Sequence, residues 1–246
     1  MGRVRLAEAR RRDGRTLLIA PLPSDATRMV DLTALEAIRL AKLGEGDPEA
    51  LAVALVPPSL DALLRAGPRG LARARQALAY AQKWESRGLL PEELASSRWT
   101  ARLTPPTGIL TWEGRRMDPG ALIKEGHALP GTPQATLCLV GQAGGLPMGL
   151  RMALLGEGRL MLSPWIETEG VGPLQLSVGG HKRNVTLEGW NGLDLPLLQP
   201  GEHLVLPAPR LRPWPSLPKG APIDLRWGTD HLQAHLSRAL DHPTVQ

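Results

Sequence analysis

The sequence predicts an α+β protein: an N-terminal β-hairpin plus helices, followed by an antiparallel β-sandwich or barrel-like region. Three observations predict this class. Apolar residues recur with a helical period from Asp31 to the "ESRG" ending at Gly88. After "RLTPPTG" that period gives way to short apolar segments, several of them alternating. Gly, Pro or Asn-Gly separates nearly all of these segments, which is how sandwiches and barrels are punctuated.

Taken in order, "VRLAEA" and "TLLIA" flank "RRRDGR", and Asp13-Gly14 is a good turn pair, so a hairpin opens the chain. "DLTALEAIRLAKLGEG" offers Thr33 and Glu36 at capping-box spacing and Gly44 as a stop. "GDPEALAVALVPP" starts with Asp47 as cap and Pro48 at the first helical position, and ends before Pro57-Pro58. "SLDALLRAG" forms a third short helix. "PRGLARARQALAYAQKWESRG" forms a fourth, with Leu71, Ala74, Leu78 and Ala81 on its buried stripe. Its basic residues Arg69, Arg73, Arg75 and Lys83 read as a solvated face, because no aromatic residues are interleaved with them.

Strands are expected in "GILTWEG", "ATLCLVG", "MGLRMALLG", "RLMLSPW", "PLQLSVGG", "NVTLEGW", "EHLVLPA" and "IDLRWG". The proline-rich "LPAPRLRPWPSLPKGAP" reads as an ordered loop. "TDHLQAHLSRALDH" reads as a last short helix. The expected organisation is therefore 1–105 hairpin and basic helices, 106–228 sandwich-like, and 229–246 short helix and tail.

Composition narrows the function classes. No apolar run approaches the roughly 18 residues needed to span a bilayer, so no membrane partner is expected. "MGRVRLAEARRRDGR" is basic but lacks the apolar core of a secretion signal. The expected compartment is the cytoplasm, or a virion for a phage-encoded chain. The one cysteine, Cys138, lies inside an apolar run and reads as a buried structural thiol. Many prolines, few amides and no Phe suit a heat-adapted source. Residues 1–105 hold 17 Lys+Arg against 12 Asp+Glu, whereas the remainder holds 12 of each. The early excess, with Arg3, Arg5, Arg10, Arg11, Arg12 and Arg15, permits contact with nucleic acid.

Site motifs are sparse. His231 and His235 stand four apart, but the zinc-protease Glu is replaced by Leu232. Neither His127, His181, His203 nor His242 supplies a partner at usual spacing. "GQAGGLPMG" lacks the GK[ST] ending of a phosphate loop and reads as a hairpin connection. No G-x-S-x-G is present, and Ser163 and Ser177 have no nearby His. Glu167 and Glu169 remain. On a strand, two carboxylates at this spacing share a face and could hold a hard cation; beside Gly170 and Gly172 they read as a solvated turn.

Residues 4–105 run hairpin, "MVDLTAL", a helical insert, "VPPSLDALLRAGPRGLARARQALAYA" and "RLTPP". This order resembles the small N-terminal domain of the fumarylacetoacetate hydrolase family. The resemblance implies a Glu-x-Glu pair, here Glu167-Thr168-Glu169, holding Mg²⁺ or Ca²⁺ to polarise a dicarbonyl substrate.

Many short strands, proline-rich loops and no catalytic constellation favour a non-catalytic structural or assembly subunit, of phage tail or baseplate style. Such a subunit needs no cofactor and forms a homo-oligomer or larger protein assembly. The alternative is a divergent metal-dependent hydrolase or lyase of the family just named. A second alternative is a nucleic-acid-associated protein.

Overall fold

The computed structural model describes residues 4–145, 147–168, 172–186 and 195–240. The chain begins with an antiparallel meander of β1 (Arg5–Arg10), β2 (Thr16–Leu22) and β3 (Asp25–Asp31). Gly14 turns the first hairpin at φ 87°. The third strand has no counterpart in the sequence reading: "DATRMVD" buries only Val30, so its apolar signal is too thin to see.

Helices α1 (Leu32–Lys42), α2 (Pro48–Leu55) and α3 (Leu60–Glu85) follow. Asp31 caps α1 by accepting from the Ala34 N–H at 3.1 Å. The Thr33/Glu36 capping box does not form. Glu36 is buried and accepts two bonds of 2.7 Å from Arg39 one turn on. Asp47 caps α2 as expected. The third and fourth expected helices run together as α3 and break at Gly67, whose backbone (φ 66°, ψ −152°) is non-helical and precedes Pro68.

After α3 the chain lays down β4 (Ala95–Ser96), β5 (Gly108–Leu110), β6 (Leu122–Ile123), β7 (Ala128–Leu129), β8 (Gln134–Gly141), β9 (Pro147–Gly156), β10 (Arg159–Leu162) and β11 (Ile166–Glu167). It finishes with β12 (Leu174–Val178), β13 (His181–Val185), β14 (Glu202–Val205), β15 (Pro222–Trp227) and β16 (Asp230–Leu236). Eleven strands make one sheet, along the path β4-β3-β2-β1-β11-β9-β8-β14-β5, with β10 on β9 and β6 on β10. The second sheet runs β13-β12-β15-β16-β7. Helices and two mixed sheets make this the α+β fold that the sequence predicts.

The sheets face each other across one core. Leu137, Leu139, Met152 and Leu154 of the large sheet meet Leu176, Leu225, Trp227 and Leu232 of the small one. A second core lies under the helices. It combines Leu6, Leu18, Leu63 and Leu78 with Val140, Met148 and Ile166, so the N-terminal region and the β-rich region share apolar packing.

The C-terminal helix is corrected to strand β16. Asp230, Leu232, Ala234 and Leu236 are buried, while His231, Gln233 and His235 are exposed. Spacings of two and four satisfy a strand as well as a helix, and the β15–β16 hairpin decides for the strand.

Candidate functional site

Glu167 is not in a solvated turn. It ends β11, opposite Arg5 of β1 and beside Leu150 of β9, and is 2% exposed. The pairing places Arg5 Nε 2.7 Å from Glu167 Oε1. The same guanidinium reaches Asp230 Oδ1 at 3.5 Å and donates to Thr229 Oγ1 at 2.5 Å. It lies 4.7 Å from the Trp165 ring centroid. Ser163 donates to Asp230 Oδ2 and accepts from the Trp165 N–H. Burial pushes the Asp230 carboxyl up from its ordinary range, against the pull of Ser163 and Arg5.

With the Arg5 guanidinium in place, these residues do not fit a Mg²⁺ or Ca²⁺ centre. Hard cations take six or more oxygens, and among the described residues no three His, Cys, Asp or Glu side chains come together as a ligand set. The Arg5 guanidinium already lies against the Glu167 carboxylate. At an effective dielectric of about 20, that guanidinium repels a divalent ion 4 Å away by roughly 8 kcal/mol, which offsets the attraction of one carboxylate at the same distance. Glu169, the other half of the expected pair, lies outside the described residues.

The other candidates disperse. His231 and His235 face outward, on the side of β16 opposite Asp230; His127 and His181 are exposed, and His242 lies outside the described residues. Arg10, Arg11, Arg12 and Arg15 are exposed around the first hairpin. Arg5 turns inward instead, and Arg3 lies outside the described residues. Within "GQAGGLPMG", residues 142–145 follow β8 and lead toward β9, as expected of a hairpin connection.

Sequence reasoning missed a buried polar row on the large sheet's other face. Cys138 and Arg151 are cross-strand partners, and His203 lies on the adjoining strand. Burial pushes the Cys138 thiol up to about 12 and Arg151 down to about 10. His203 is held well below its usual value, first by burial and then by Arg151. Arg151 donates to the Thr104 carbonyl at 3.1 Å. Its position inside "MGLRMALLG" gave no motif to find.

A pocket of about 440 Å³ opens between the start of β8 and the proline-rich loop, lined by Thr132, Gln134, Arg212, Pro213, Trp214 and Leu240 among others. Arg183 of β13 fixes its wall. The guanidinium lies 3.9 Å from the Trp214 ring centroid and donates to the carbonyls of Arg212 and Pro213. Trp214 is 3% exposed, and among the described residues its Nε1 donor has no hydrogen-bond partner. The loop was expected to be ordered; the pocket it forms was not foreseen, because its lining is scattered over the chain.

No protein-family model and no curated protein matches the chain. The solved structure of Cg1458 is similar over 97% of this chain and 100% of its own, at 12% identity and a TM-score of 0.50. That of 2-keto-3-deoxyarabinonate dehydratase covers 94% of this chain and 98% of its own, at 13% identity and a TM-score of 0.47. The likeness to Cg1458 shows the fold alone, and that fold is fumarylacetoacetate hydrolase-like. This likeness overturns the expectation of a structural or phage tail-like subunit. Short strands and proline-rich loops occur in both kinds of protein, and style without a motif could not tell the two apart.

Proposed function

We propose that the chain is a divergent member of the fumarylacetoacetate hydrolase family, a hydrolase- or lyase-type enzyme acting on a small oxo acid in the Trp214 pocket. The observation that carries this reading is the Trp214 N–H. A buried donor without an acceptor costs about 1–3 kcal/mol, and a ligand oxygen offsets that cost. Arg212 suits a carboxylate, because its planar fork can make two charge-assisted bonds. Thr132 and Gln134 add neutral groups for a neighbouring carbonyl. Together the Gln134 amide, the Trp214 indole and the Arg212 guanidinium would stabilise negative charge developing on a carbonyl oxygen. The dicarbonyl chemistry implied by the family resemblance needs that stabilisation.

The test is an indole ¹H–¹⁵N titration with short 2-oxo and dicarbonyl acids. One indole resonance is expected to move saturably, and Trp214→Phe should remove that resonance and weaken binding. Arg212→Ala should weaken it roughly tenfold or more, as loss of a charge-assisted bond does. A panel that moves no indole resonance refutes the pocket as the substrate site.

A further inference from the structure

The geometry points to Arg5 as the resident cation of the Glu167 site, a built-in guanidinium standing where the family resemblance implies a divalent metal. The inference concerns a separate cluster and stands whether or not the Trp214 pocket binds substrate.

Two carboxylates from different sheets converge on this one side chain. Glu167 comes from β11 of the large sheet, and Asp230 comes from the β15–β16 hairpin of the small sheet. Each is more than nine-tenths buried. Buried carboxylates need a cation or hydrogen-bond donors. The cluster supplies both, with Arg5 between the two acids and Ser163 donating to the far oxygen of Asp230. Thr229 accepts from another guanidinium nitrogen, and the Trp165 ring lies against the guanidinium.

The cation is covalently part of the chain and set by strand register, since Arg5 is the direct cross-strand partner of Glu167. Oxygen donors that could serve a hard cation are therefore present, namely Glu167, Asp230, Thr229 and Ser163, but the Arg5 guanidinium already pairs with both carboxylates and donates to Thr229. Removing the guanidinium should expose a latent site for an oxygen-preferring divalent ion such as Ca²⁺ or Mn²⁺.

Calorimetric titration and thermal melts of the full chain test this, with Ca²⁺ and Mn²⁺ at millimolar concentration or with EDTA. The wild type is expected to show no saturable divalent binding and the same melting temperature in EDTA. Arg5→Met is expected to melt lower and to be restored by Ca²⁺ or Mn²⁺, whereas the wild type gains nothing. Saturable binding to the wild type that Glu167→Gln abolishes overturns the inference. So does an Arg5→Met variant whose melting is insensitive to divalent ions. If Arg5→Met does not fold in buffer alone, its refolding from urea is followed by near-UV circular dichroism with and without Ca²⁺. Recovery only with Ca²⁺ supports the inference, and recovery in neither condition overturns it.

Discussion

His203 and Cys138 show how burial alone sets chemistry at single residues. His203 stays neutral in the folded chain, its ring held by the Gly201 carbonyl at 3.0 Å. In the unfolded chain it takes a proton below about pH 6.5. Its folded pKa is depressed, so the unfolded state binds more protons there, and stability falls as pH drops below 6.5. The slope is at most about 1.4 kcal/mol per pH unit. Asp31 and Asp230, both pushed up by burial, contribute with the opposite sign at lower pH. The measurement is therefore urea unfolding of wild type against His203→Gln between pH 5 and 7, where their contributions cancel. The variant should show the shallower slope, and equal slopes would refute this role. Cys138 should react with a thiol reagent only at the rate of global unfolding, because its thiol is fully buried and raised to about 12. Labelling of the native protein at the rate of a free thiol would contradict that. Cys138 was legible from its apolar run, since a small apolar-packing side chain announces itself by its neighbours. Arg151, Trp214 and the Arg5–Glu167 pair were not, because cross-strand register and loop docking bring together residues that no local spacing connects.

At the scale of elements, the break in α3 holds the β8–β9 turn in place. Ala143 donates its N–H to the Leu64 carbonyl at 2.8 Å, one residue triplet before Gly67. A Cβ at Gly67 would lie 2.9 Å from the Ala143 carbonyl oxygen, in a backbone region that is nearly glycine-only. Gly67→Ala should therefore cost about 2–4 kcal/mol by urea unfolding. Gly88→Ala is the control, with the same φ of 66° but open space around the new carbon. It should cost only about 1 kcal/mol, and equal costs would show that the Ala143 contact contributes nothing. Helix boundaries in this region were readable because Asp47, Pro48, Ser59 and Gly67-Pro68 act locally. The capping of α1 by Asp31 and the strand character of 230–236 were not, since each depends on where a neighbouring strand lies.

Across the whole molecule, the expected division at residue 105 does not coincide with a gap in the packing. Val140, Met148 and Ile166 share a core with the helices, and β1 pairs directly with β11. Heat or urea should accordingly unfold the chain in one transition, with circular dichroism and tryptophan fluorescence coincident. Two separated midpoints would refute a shared cooperative unit. Fold class was legible because periodicity survives at long range. Family-level architecture was only hinted at by residues 4–105, because β-strand pairing order leaves almost no trace in sequence. One feature of that order governs how the chain is made. The segment 108–129 gives parallel strands to both sheets: β5 to β14, β6 to β10 and β7 to β16. On a ribosome, β5 and β7 emerge well before the partners they need. Their backbone amides and carbonyls must wait, open to water and to other nascent chains, until the last hairpin is synthesised. A stalled chain ending before β14 therefore leaves β5, β7 and one edge each of β8 and β12 without the strands they pair with, and completion of the fold waits for the stretch from Glu202 onward.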